Sequence, residues 1–163
     1  MPRSRGDAPV ILSVLDRLTD EDFKLPDIQL TRSKSVSKLR EAVRRDLEWL
    51  LNTRQPMEVA EDGTELQNSL YMYGLPDISS MSAKNTRDRQ RLTQAIEAAI
   101  AKFEPRIANV RVTMADEQEK VPALRFIIEG LLRLDPSPER VSFDTILELT
   151  SGEYKVRGEA GAR

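Results

Sequence analysis

Neither cysteine nor histidine occurs among the 163 residues. Without cysteine there is no disulfide framework, no thiolate nucleophile and no sulfur ligand, which fits a reducing compartment. Without histidine the chain lacks the commonest general base and the commonest metal ligand, so Ser–His and Cys–His schemes are excluded. Aromatic residues make up only 5% of the chain, with a single tryptophan, too few to pave a sugar-binding cleft. No Walker or dinucleotide glycine pattern appears. No apolar run reaches the ~18 residues of a membrane span, and the N-terminal MPRSRGDAPVILSVLDRL has no stretch of signal-peptide length. The acidic runs TDED and ADEQE lack the spacing and glycine of a calcium loop. These absences point to a soluble, cytoplasmic protein without a cofactor.

What the chain has in quantity is charge of both signs. Charged residues are 32% of the total, with a formal net charge of −2, so nothing draws the whole molecule to nucleic acid or to an anionic membrane. The length suits one compact domain with residues to spare for arms. No internal repeat or low-complexity tract is visible.

The spacing of apolar residues predicts two main helices. In the first, about 36–52, Val36, Leu39, Val43, Leu47 and Leu50 recur at intervals of three and four, with Ser33, Ser35 or Ser37 as candidate caps. Asp46 falls inside that stripe, where a carboxylate is costly unless it is paired; Arg106 or the backbone of 52–54 are candidate partners. Trp49 lies off the stripe, free to pack on its rim or to meet a partner. The second helix, about 87–103, has Asn85 or Thr86 as cap, Asp88 early for the dipole, and Leu92, Ile96, Ala99, Ile100 and Phe103 as its buried face. It must stop by Glu104, because the residue before proline is pushed out of the α region. Between the helices, Pro56, Gly63, Gly74 and Pro76 break the chain into a connector over 53–85, with room for a short helix near 66–72.

After Arg106 the period changes to two. Ala108, Val110, Val112 and Met114 should share one face, followed by Leu124, Phe126 and Ile128, then Val141, Phe143, Leu147 and Leu149, with a short fourth strand possible through Tyr154 and Val156. The expected fold is α+β: an antiparallel meander of three to four strands with the two helices packed on one face. An N-terminal arm and linker (1–34), a domain (35–149) and a polar C-terminal tail (150–163) divide the chain. Residues 11–18 read equally as a short surface helix or as an arm that orders on a partner.

The helix–strand junction is Glu104-Pro105-Arg106. Its blandest reading is a helix stop with an exposed ion pair of little energetic weight. A hydrolase reading would pair Glu104 with Asp116 or Glu117 across a cleft, but no aromatic surface supports it. The third reading rests on rigidity: proline fixes the backbone between two opposite charges and can present both to another chain.

Together, SVLDRLTDED, SVSKLREAVRRDLEWLLNTRQP, YGLPDI and FEPRIANVRV, in that order and spacing, resemble the TssE family of type VI secretion baseplate subunits. That family is similar to the wedge proteins of contractile phage tails and has long been labelled lysozyme-like. The resemblance implies a structural role in a baseplate at the inner face of the cytoplasmic membrane complex, and no enzymatic activity. It implies a place beside TssF and TssG and near TssK, and the start of sheath polymerisation by TssB and TssC, with strand addition to a sheet edge as the mechanism. It carries Glu104, Pro105 and Arg106 over as an assembly contact, with Leu15, Asp16, Arg17 and Leu18 as a further interface. Asp46, Leu47, Leu50, Leu51, Asn52, Tyr73, Gly74 and Pro76 become its structural motif. The lysozyme label describes a fold and need not transfer an activity.

Purified protein is therefore expected to leave peptidoglycan intact. Dye release from labelled sacculi provides the check, with Glu104→Gln in parallel. Turnover by the wild type that the substitution abolishes would favour the hydrolase.

Overall fold

The first helix, α1, is Arg32–Asn52. It belongs to a computed structural model that describes residues 18, 32–56, 65–78, 81–82, 85–115 and 123–158. Val36, Leu39, Val43, Leu47 and Leu50 are all buried, as their spacing predicts, and Ala42 and Leu51 widen the stripe. The helix starts earlier than expected, so Ser33, Ser35 and Ser37 lie inside it and are not its caps. Burial of Ser35 beside Val36 draws this first turn into the packed structure. Helix α2, Thr86–Phe103, begins at the expected cap: the Asn85 side chain accepts a hydrogen bond from the Arg87 amide at 2.9 Å.

Between the helices, the two short 3₁₀ turns Glu65–Asn68 and Leu70–Met72 occupy the region where a helix was expected. The segment after them returns to the end of α1. Residues Arg54 and Leu75 form a parallel bridge, with Leu75 N–H donating to Thr53 O and Gln55 N–H to Leu75 O, both at 2.8 Å. The Gln55 side-chain amide donates to the carbonyls of Met72 and Gly74. This tie sets where Tyr73 stands.

Four strands follow: β1 Ile107–Met114, β2 Ala123–Leu132, β3 Glu139–Glu148 and β4 Tyr154–Arg157. They pair antiparallel in the order β1-β2-β3-β4. One face carries Leu124, Phe126, Ile128, Leu132, Val141, Phe143, Leu147, Tyr154 and Val156 into a single core with α1 and α2. Each such side chain contributes roughly 1.5–3 kcal/mol when fully buried. On the other face Arg125 grips Asp144 through two hydrogen bonds, at 2.7 and 2.6 Å.

Three details differ from the expected pattern. A bulge between Ala108 and Arg111, with Asn109 at φ 53°, shifts the alternation of β1 by one residue. Ile107 therefore enters the core, and Ala108 pairs with Leu131 away from it, contrary to the expected grouping with Val112. Room for Ile107 comes from Gly130, where a Cβ would lie 2.4 Å from Ile107 Cγ2. Leu149 lies in the turn after β3 and is exposed. The expected short fourth strand through Tyr154 and Val156 is present as β4, and because both residues are buried and complete the core under α1, the domain runs past its expected end at 149.

Gly74 combines two constraints. Its φ is +113°, and a Cβ there would stand 2.4 Å from the Thr53 carbonyl oxygen, the atom that accepts from Leu75. Gly74→Ala should cost roughly 2–4 kcal/mol from backbone strain and a displaced hydrogen bond. Urea denaturation measures it; a loss below about 0.5 kcal/mol would mean that the segment rebuilds without effect on the core.

Candidate protein-interaction site at the helix–strand junction

Helix α2 stops at Phe103 because Glu104 precedes a proline: its φ of −121° and ψ of 75° are outside the helical range. Its amide still donates to Ile100 O at 2.8 Å, closing the helix, and its carbonyl accepts from Ile107 N–H at 3.2 Å. Two residues later Arg106 O accepts from Arg133 N–H at 2.8 Å, which starts the β1–β2 pairing. The whole change from helix to strand is made within Glu104-Pro105-Arg106.

The side chains lock this corner. Arg106 Nε donates to Glu104 Oε1 at 2.6 Å, the Arg106 amide donates to the same oxygen at 3.2 Å, and Nη2 donates to Glu104 Oε2. Nη2 also reaches across to α1, donating to Asp46 Oδ2 at 2.6 Å. Arg45 takes the other Asp46 oxygen from Nε and Nη2, at 3.0 and 2.9 Å. Two guanidiniums and two carboxylates thus form one neutral network joining α1, the end of α2 and the start of β1. Hydrogen bonding to Glu104, with Asp46 adding to it, raises the Arg106 pKa further above its usual range despite partial burial.

Burial differs sharply along the motif. Glu104 is 4% exposed, whereas the Arg106 and Asp46 side chains keep 26% and 23% of their surface. Pro105 is exposed. The bland reading, an exposed ion pair of little energetic weight, therefore fails for Glu104: a carboxylate this deep depends on its arginine. Asp46 has Arg106 as its partner, one of the two candidates that its place in the apolar stripe required.

The other motif residues divide between this corner and the core. Tyr73 packs edge-on against Phe103, with ring centroids 5.3 Å apart. Burial raises the pKa of its hydroxyl, and the charges of Asp46 and Glu104 raise it further. Gly74 is buried in the tie to α1, and Pro76 is exposed. Leu47, Leu50 and Leu51 are core residues. Asn52 serves β4: its side chain accepts from Tyr154 N–H at 2.8 Å and donates to Tyr154 O at 2.9 Å. Leu18 is exposed, while Leu15, Asp16 and Arg17 lie outside the described residues, as do Asp116 and Glu117. Among the described residues, no group of three or more Asp and Glu side chains is placed to hold a metal ion.

Trp49, off the apolar stripe, extends this surface together with Arg45, to which the sequence assigns no role. Trp49 is half exposed, and the Arg45 guanidinium lies 4.9 Å from its ring centroid. Their separation of four residues on one helix is a legible signal. Lys102 Nζ donates to Gln67 O and lies 5.0 Å from the Phe103 ring centroid, holding the first 3₁₀ turn beside the junction.

Arg106→Ala should remove roughly 2–4 kcal/mol of stability, because Glu104 loses the cation that compensates its burial. Asp46→Ala should cost less, roughly 1–3 kcal/mol, since Asp46 keeps contact with water. Chemical denaturation of both variants measures the order; a loss under about 0.5 kcal/mol for Arg106→Ala would mean that the Glu104 carboxylate reaches solvent.

A family model described as baseplate wedge protein gp25 matches residues 37–137 of this chain. The matched stretch runs from the first turns of α1 to the turn before β3. It includes Asp46, Asn52, the Tyr73–Pro76 segment and the whole Glu104–Arg106 corner. No individual curated protein matches the chain significantly. With well over half of its residues matched, the chain belongs to the baseplate wedge protein gp25 family.

Proposed function

We propose that the chain is the TssE-type subunit of a type VI secretion baseplate, a structural part that acts in the cytoplasm on the sheath side of the membrane complex. In this reading it joins the wedge with TssF and TssG, lies near TssK, and starts polymerisation of a TssB–TssC sheath by offering a sheet edge to an added strand. It carries out no catalytic step and needs no cofactor.

The observation that carries this reading is the self-contained charge network under an exposed proline, in a chain of the wedge family. Glu104 acts from beneath: both its oxygens hold the Arg106 guanidinium, so the exposed part of Arg106 and the Pro105 ring stand in one orientation. A contact of fixed geometry limits the conformational entropy lost on binding. The alternative, a peptidoglycan hydrolase using Glu104 as proton donor, has no comparable support, since both carboxylate oxygens are engaged by Arg106.

Pro105→Asp tests the contact at a residue whose side chain makes none of the network's hydrogen bonds. The side chain is exposed, but the proline also restrains the backbone of the corner, so stability should fall by roughly 0.4–1 kcal/mol. Affinity for a purified TssF–TssG wedge should fall at least about tenfold, equivalent to the loss of roughly 1.4 kcal/mol. Unchanged wedge binding by a cooperatively melting variant would remove this corner from the interface.

A further inference from the structure

The helices cover one face of the sheet, and the opposite face has a pattern of its own. Alternation places the neighbours of the core residues there. Ile127 and Leu131 of β2 and Ile146 of β3 stand on it half-buried. Leu131 and Ile127 lie along one strand, and Ile146 lies in the next cross-strand row, opposite Arg125. They form an apolar line near the middle of the face, interrupted by Glu129.

Charge flanks this line. Arg125 is engaged by Asp144, and Lys155 by Glu148. Arg111 of β1, Arg140 of β3 and Arg157 of β4 share the face, since Val112, Val141 and Val156 beside them enter the core. Among the described residues, these three arginines make no ion pair and no side-chain hydrogen bond. Glu129, opposite Arg111, is the one carboxylate on the strands of this face outside an ion pair. Cations are therefore in excess here, although the whole chain carries a net −2. Arg111 stands on one side of the apolar line, Arg140 and Arg157 on the other. Strand spacing separates these flanks by roughly 10–14 Å, and one α-helix with its side chains is about 10–12 Å wide.

We propose that this open face of the sheet docks an acidic amphipathic helix of a partner protein. Its apolar stripe lies on Ile127, Leu131 and Ile146, and its flanking carboxylates meet Arg111, Arg140 and Arg157. The surface faces away from α1 and α2, and the inference does not depend on the type VI reading. Charge complementarity selects the occupant. A second copy docked face to face would bring two sets of these arginines together, and like charges across an interface are unfavourable. A nucleic acid would set continuous phosphate against Glu129 and leave the apolar line without a matching surface. A helix satisfies both features, because helices pack on sheets through an apolar stripe bordered by polar positions.

The chain has no cysteine, so one introduced thiol reports whether the face is covered. Ser142 pairs with Glu129 between the two flanks. In Ser142→Cys, alkylation within baseplate particles that carry the chain should be at least about tenfold slower than in the free chain, because a packed interface excludes the reagent. The chemistry is tested by titrating the isotope-labelled full chain with a synthetic helix that bears a leucine stripe flanked by glutamates. Amides of Ile127, Leu131, Ser142 and Ile146 should shift. The same helix with lysine in place of glutamate should bind at least about tenfold more weakly. Arg111→Glu, Arg140→Glu and Arg157→Glu combined should still melt cooperatively and should invert that preference. Alkylation at the free rate in the particles, shifts confined to other parts of the chain, or equal affinity for the two helices would overturn the inference. So would a short DNA duplex that binds this face more tightly than the glutamate helix, or self-association of the free chain through it.

Discussion

A carboxylate taken out of water needs a cation that stays with it, and at Glu104 that cation is Arg106. The pair does more than satisfy itself. Because Arg106 also reaches Asp46, the corner where α2 becomes β1 is pinned to the flank of α1. Helix α1 in turn ends at Asn52 and hands over to the Thr53–Gln55 tie with Leu75. Tyr73, just before that tie, packs on Phe103 at the end of α2. A closed circuit results, in which both helices and the first strand hold each other's ends.

This circuit lets one corner hold the fold while it keeps an exposed surface of fixed shape. The charges are spent internally, so the exposed part of the corner is neutral and shaped. A partner that docks there need not supply a counter-ion for Glu104. Trp49 under Arg45 adds an aromatic surface on the adjoining face of α1, and aromatic and arginine side chains are the usual anchors of protein interfaces.

Much of the architecture was legible from periodicity. The stripes Val36–Leu50 and Leu92–Phe103 place both helices, and the alternation in β2 and β3 gives their inward faces directly. Asp46 within an apolar stripe demands a partner, and Arg106 supplies it. What escaped was set by contacts distant in the chain. The depth of Glu104 depends on α1 packing across it, which no local pattern reveals. The shift in β1 follows from Asn109 in the left-handed region, and a lone asparagine in an alternating run does not announce a bulge. The short fourth strand through Tyr154 and Val156 was legible, whereas its bonds to Asn52 and Arg44 of α1, a hundred or more residues away, were not.

The carboxamide of Asn52 presents one acceptor and one donor to Tyr154, the same pair of groups that a neighbouring peptide unit would present. The last strand is therefore terminated by a surrogate of the backbone, carried on a helix. Without the strand, the Asn52 carboxamide would be left aimed at the vacated space, and β3 would become a raw margin with Thr145 and Leu147 uncovered. The four residues Tyr154–Arg157 thus act as a seam, keeping the side of the sheet opposite β1 inert while the rest of the molecule engages its neighbours.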